Sequence, residues 1–234
     1  MSNDIDTHDI TPVIGGGIDF RPMRWSDLDA MADCFDRVWP QVPYIDGTPL
    51  AALMARYLTL HYVALTSWSN IAALPDGTFA GCTLARIDGQ PQQFPQAVDE
   101  LERVRAQIAA DPRGADALAM LEDGFFPNET MLEEDADIAS STQAELELFM
   151  VDPDVRGHGL GRELWQSLLA AFAKMDVHAF FLHTDSSCDY SFYDHKGLER
   201  VAERLHADHP EDDETSPKIQ DDQYIYRGET AQLR

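Results

Sequence analysis

The order of apolar and polar positions predicts a strand, two helices and a hairpin at the head of the chain. Residues 18–23, Ile-Asp-Phe-Arg-Pro-Met, alternate with the period of a strand. Leu28, Met31, Ala32, Phe35 and Trp39 then recur at helical spacing. Ser26, with Asp29 three residues later, reads as the capping box of that first helix. Thr48 followed by Pro49 starts a second helix with an apolar face of Leu50, Leu53, Met54 and Tyr57. Apolar runs at 71–74 and 78–85 flank Pro75-Asp76-Gly77, which predicts a hairpin.

Strand character then lapses over residues 89–142, where 97–110 is helical in composition and 115–121 forms a shorter helix. It returns in Ala144-Glu145-Leu146-Glu147-Leu148-Phe149-Met150-Val151, whose alternation puts Leu146, Leu148 and Met150 on one face. Glu145 and Glu147 then share the opposite face, as long as no bulge intervenes. Asp152-Pro153-Asp154 ends this strand, and a glycine-rich run leads into a helix striped by Leu164, Leu168, Phe172 and Met175. A strand at 177–184, a helix at 190–196 closed by Gly197, and strands at 200–207 and 223–228 complete the series. Residues 1–17, ending in three glycines, read as a flexible tail. The remainder, 18–234, reads as one α/β domain, with 89–142 an acidic helical insertion before the strand at 144–151.

Composition narrows the function classes. The 234 residues carry a formal charge of −25, which disfavours nucleic acid and anionic membrane surfaces as partners. The insertion is the most one-sided part, with 12 acids against 3 bases between residues 92 and 140. The most apolar stretch, 57–68, is too short and too polar to span a bilayer, and the acidic start lacks the layout of a signal peptide. The reading is a soluble, cytoplasmic protein. Cys34, Cys82 and Cys188 are scattered, and the eight histidines form no HExxH pair, so no metal is expected.

One place reverses the charge. Arg156-Gly157-His158-Gly159-Leu160-Gly161-Arg162 lies between a strand and an amphipathic helix, the arrangement in which backbone N–H groups and the helix dipole bind phosphate. Gly161-Arg162-Glu163 lacks the Lys-Ser/Thr of a Walker loop. The glycine spacing, late in the chain and behind a polar turn, is not that of a dinucleotide fingerprint. In this context the run resembles the acetyl-coenzyme A loop of the GNAT N-acetyltransferase superfamily. Phe192-Tyr193-Asp194-His195-Lys196-Gly197-Leu198 resembles that superfamily's last helix and turn, and the order of elements agrees over about 18–228. Ser186 stands where many members carry asparagine, and Leu198 replaces the usual phenylalanine.

The resemblance implies an α/β fold with a mixed central sheet flanked by helices, and direct acetyl transfer from acetyl-CoA to an amine. It assigns the coenzyme pyrophosphate to the backbone of Arg156, Gly157, His158, Gly159, Leu160, Gly161 and Arg162. The pantetheine arm falls along Phe149, Met150 and Val151, with Ser186 a further contact. Tyr193 becomes the acid that protonates the leaving thiolate, and Glu145 and Glu147 are the candidate bases, with His183 and Asp185 as further options. Cys188 has no role in direct transfer. Many members dimerise, so a homodimer is expected on the same ground. The acceptor side falls to the first helices and the insertion, where Trp39, Tyr44 and Trp68 offer aromatic surface. Asp46 and the acids of 122–137 attract a cationic amine such as a polyamine, aminoglycoside or basic peptide. The alternative is a protein that binds acetyl-CoA without transferring it, as a sensor or interaction module.

Overall fold

The computed structural model describes residues 17–155, 159–214 and 220–233. A short edge strand, β1 (Asp19–Arg21), passes through a 3-10 turn at Trp25–Asp27 into α1 (Leu28–Val38). The cap is not the Ser26 box. Asp27 accepts from the Arg24 backbone N–H at 2.7 Å and also receives the Arg21 guanidinium, which fixes its carboxylate over the turn. Helix α2 (Pro49–Leu65) begins as expected, with the Thr48 hydroxyl accepting from the Leu50 N–H at 3.3 Å. Strands β2 (Trp68–Ala73) and β3 (Phe79–Ile87) form the hairpin.

The insertion is more helical than its composition indicates. Helix α3 (Ala97–Ala109) is followed by α4 (Pro112–Met120), whose first turn is capped by Asp111. A π-helical turn at Leu121–Phe125 then leads into α5 (Phe126–Asp135) and α6 (Ile138–Ser141). The helix α5 has no apolar period along its sequence. It is held by tertiary packing, with Leu132 against Phe181 and Ile225 and Phe126 against the core of the first helices.

The remaining elements are β4 (Ala144–Val151), α7 (Leu160–Lys174), β5 (Ala179–Asp185), α8 (Ser191–Lys196), β6 (Glu199–Arg204) and β7 (Gln223–Glu229). The strands make one sheet in the order β1-β2-β3-β4-β5-β7-β6, antiparallel except where β4 meets β5. One apolar core joins α1, α2, α3 and α4 to the sheet, and a second joins α7 to it.

The register of β4 departs from the alternation in its sequence. Leu84 pairs with Leu148 but Ala85 pairs with Leu146, so Glu147 is an extra, bulged residue. The bulge turns the strand over: Ala144 and Leu146 pack with α7, whereas Leu148 and Met150 pack with α1 and α2. The three apolar residues do not share one face.

Candidate active site

β4 and β5 run parallel but pair only at Ala144–Phe180 and Glu145–Phe181. Both strands continue, to Val151 and Asp185, so the sheet splits beyond Glu145 and the β4 edge from the bulge onward turns to a cavity of about 1090 Å³. Bulge and split belong together, because an extra residue bends β4 away from its parallel neighbour.

The head of α7 borders this opening through Gly161. Gly159 lies at φ +80°, a left-handed conformation that suits glycine, and lets the chain turn into the helix. The N–H groups of Leu160, Gly161 and Arg162 occupy the first turn, where no helical carbonyl precedes them. Gly161 lines the cavity; a Cβ there would lie 3.7 Å from Val151 Cγ2 and 3.8 Å from Phe149 Cζ. Arg162 is exposed, and the Leu160 side chain is buried with Val155 and Leu164, leaving only its backbone available. Arg156, Gly157 and His158 fall outside the described residues.

Phe149, Met150 and Val151 all line the cavity. Phe149 is wedged between Trp165 (6.1 Å between centroids) and Phe192 (5.4 Å). Tyr193 also lines it, packed against Trp165 and Tyr226, and burial pushes its phenol above the ordinary value so that it stays protonated. Ser186 is turned away to the loop before β7. Its hydroxyl donates to Asp221 at 2.9 Å and accepts from the Asp222 N–H at 3.1 Å, while Asp185 and Ser187 line the cavity beside it. The Cys188 thiol is pushed up by burial, the opposite of what activates a nucleophile.

The bulge brings Glu145 and Glu147 to one guanidinium. Arg86 Nε donates to Glu147 Oε1 at 2.9 Å, and its terminal nitrogen bonds to Glu145. Both carboxylates are almost wholly buried. Burial raises both, Glu147 the more strongly because Glu145 lies next to it, and Arg86 opposes the rise.

On the far side of Glu145 stands His183. Its Nε2 is 2.8 Å from Glu133 and 3.9 Å from Glu145, and its Nδ1 is 3.9 Å from Glu129. Burial pulls the imidazole down, but the Glu133 hydrogen bond and the Glu129 and Glu145 charges together outweigh it, so His183 is raised to about 9. At neutral pH it is therefore an imidazolium, a charge partner for three glutamates and not a base. Glu129 is raised to about 7 by burial, with His183 opposing. Glu133, Glu145 and His183 also bring three potential metal-ligand atoms within 4.8 Å of one another. The hydrogen-bonded imidazolium among them accounts for the cluster as an ion-pair network.

Arg86, Glu129 and Glu133 carry no motif. Arg86 is the one charged residue of β3, and that isolation is the one signal that marks it. Glu129 and Glu133 are lost within an acidic run in which Glu122 holds Arg105 and the Tyr57 hydroxyl, and Glu100 holds Arg56 and Arg103. Of the expected aromatic surface, Trp39 lines the cavity. Trp68 packs with the α7 core, and Tyr44 and Asp46 lie outside the lining.

A mixed sheet split between its parallel strands, beside a glycine-headed helix and a protonated tyrosine, is the arrangement of a coenzyme A-dependent acetyltransferase fold. Residues 28–197 match the model of the acetyltransferase (GNAT) family, and the chain belongs to that family. Among solved structures, SsHAT is similar with a TM-score of 0.57 at 19% identity, over 92% of this chain and 99% of its own. Arylalkylamine N-acetyltransferase 2 from Aedes aegypti gives 0.55 at 14%, over 92% and 100%. Mosquito arylalkylamine N-acetyltransferase like 5b gives 0.54 at 16%, over 91% and 100%. No protein of curated function matches the sequence. Among the described residues no helix is long and apolar enough to cross a membrane.

Proposed function

We propose that this protein transfers the acetyl group of acetyl-CoA directly to a primary amine. The observation that carries this reading is the early end of β4–β5 pairing, which opens a strand edge beside the head of α7 and exposes Phe149, Met150 and Val151 to the same cavity as Gly161. The backbone N–H groups from Arg156 to Arg162 bind the pyrophosphate, with Arg162 adding charge in an acidic chain. The backbone of 149–151 takes the amide arm as an added strand, which directs the thioester toward Glu147 and Tyr193.

An amine with a pKa of about 10 arrives as an ammonium and must lose a proton before it attacks. Glu145 and Glu147 accept that proton. Their burial makes them stronger bases than ordinary carboxylates, and the Arg86 guanidinium favours their ionised form. The nitrogen then forms its bond to the carbonyl carbon, the carbon–sulfur bond breaks as the Tyr193 hydroxyl donates a proton to the sulfur, and the second proton leaving the nitrogen restores the tyrosine. Regenerating the tyrosine and the carboxylate returns one net proton to solvent for each ammonium acetylated.

Calorimetry with acetyl-CoA, followed by thiol release with a panel of amines, tests the reading. Saturable binding with amine-dependent release is expected. Binding with no release by any amine would favour a sensor, and absence of binding would overturn both.

A further inference from the structure

Six rings form a continuous chain along the wall of the cavity that faces α1, α2 and the insertion. Trp39 packs on Phe35 (4.7 Å between centroids), Phe35 on Tyr62 (6.3 Å), and Tyr62 on His61 (5.3 Å). His61 stacks on Phe126 (4.3 Å, 4° between planes), and Phe126 meets Phe125 at 6.3 Å. All six line the cavity. They come from three chain segments, so no local pattern displays the row. His61 belongs to it chemically as well as geometrically, because burial holds the imidazole down at about 4 and it is a neutral ring at physiological pH.

The row has a polar end. On α5, Glu129 follows Phe125 of the preceding π-helical turn by four residues and Glu133 follows Phe126 by seven, so one helix face passes from rings to carboxylates. Those carboxylates adjoin His183 and Glu145, beside the split in the sheet. The cavity is therefore amphipathic along its length, acidic where the acyl group is delivered and aromatic away from it.

From this geometry we infer that the acceptor is a primary amine carrying a flat aromatic body. Its nitrogen is drawn to the carboxylate end and its ring lies against the Phe35–Tyr62–His61–Phe126 wall. This inference rests on the acetyl-transfer reading and narrows its substrate. A polyamine or aminoglycoside fits this wall poorly, since an ammonium group laid against Phe35, Tyr62, His61 and Phe126 would lose water to neutral rings. The row thus selects against the polycationic acceptors that the acidic sequence suggests.

The test compares 2-phenylethylamine, hexylamine, spermidine and glycinamide in thiol release, with wild type and with Phe126→Leu and His61→Leu. These changes remove a ring while keeping apolar volume, and thermal melts confirm that the variants fold. The expected result is a kcat/KM for 2-phenylethylamine at least roughly tenfold above spermidine and glycinamide. Each variant should lower that advantage by roughly tenfold through KM, with acetyl-CoA affinity unchanged. Equal or better use of spermidine, or an equal loss for every amine, overturns the inference while leaving acetyl transfer intact. If no amine is turned over, calorimetric titration of 2-phenylethylamine decides the matter. Binding lost in Phe126→Leu upholds the aromatic site even though the transfer reading has failed, and no binding overturns it.

Discussion

Replacing His183 with glutamine probes the ion-pair network on which the acidic end of the cavity depends. Gln keeps a donor for Glu133 but removes the charge. His183 is raised from 6.5 to about 9, and its side chain is 13% exposed, so solvent screens the network only weakly. The difference of about 2.5 units, at about 1.4 kcal/mol each, puts the charge-dependent stabilisation at up to about 3 kcal/mol. The folded value lies above the unfolded one, so this stabilisation is fully present below pH 6.5 and is lost as pH rises through about 9. Urea unfolding of wild type and variant at intervals from about pH 6 to about pH 10 reads it directly. Wild type should exceed the variant by up to about 3 kcal/mol at the lower end, and the gap should close toward the upper end. A gap that stays constant with pH would refute the imidazolium and leave His183 as a neutral hydrogen-bonding residue.

Three further outcomes follow from the same geometry. Tyr193→Phe should lower kcat by roughly 100-fold with little change in KM for acetyl-CoA, measured by thiol release, because a proton donor is lost and no binding surface is. Arg86→Met removes the cation that bridges two buried carboxylates, so both should titrate higher; the acidic limb of the pH–rate profile should move to higher pH and activity near pH 7 should fall. Gly159→Val imposes a β-branched residue at φ +80°, which costs roughly 1–2 kcal/mol and distorts the head of α7. Calorimetry should show acetyl-CoA affinity falling by tenfold or more, and unchanged affinity would remove the loop from the binding site.

Much of the scaffold is legible in the sequence because its signals are local. Thr48-Pro49 starts α2, Pro75-Asp76-Gly77 turns the hairpin, and Gly197 closes α8 at φ +81°. Each depends on residues within a turn of one another, and so does the strand–glycine–helix run around Gly159. The alternation in 144–151 correctly marks a strand, yet it misplaces Leu146 relative to Leu148. A bulge is set by pairing with β3, a strand some 60 residues earlier, and leaves no trace in the period of β4 itself.

The site divides along the same line. The sequence by itself placed a glycine at the head of α7, two glutamates on β4 and a tyrosine on α8, because these are features of single elements. Tertiary structure alone decided that Arg86 ties the glutamates together, that His183 is charged, and that two insertion acids of the many reach the cavity. It also built the row of rings from helices far apart in the chain. Charge state depends on burial and on neighbours brought in from elsewhere, and neither is a property of any stretch of sequence.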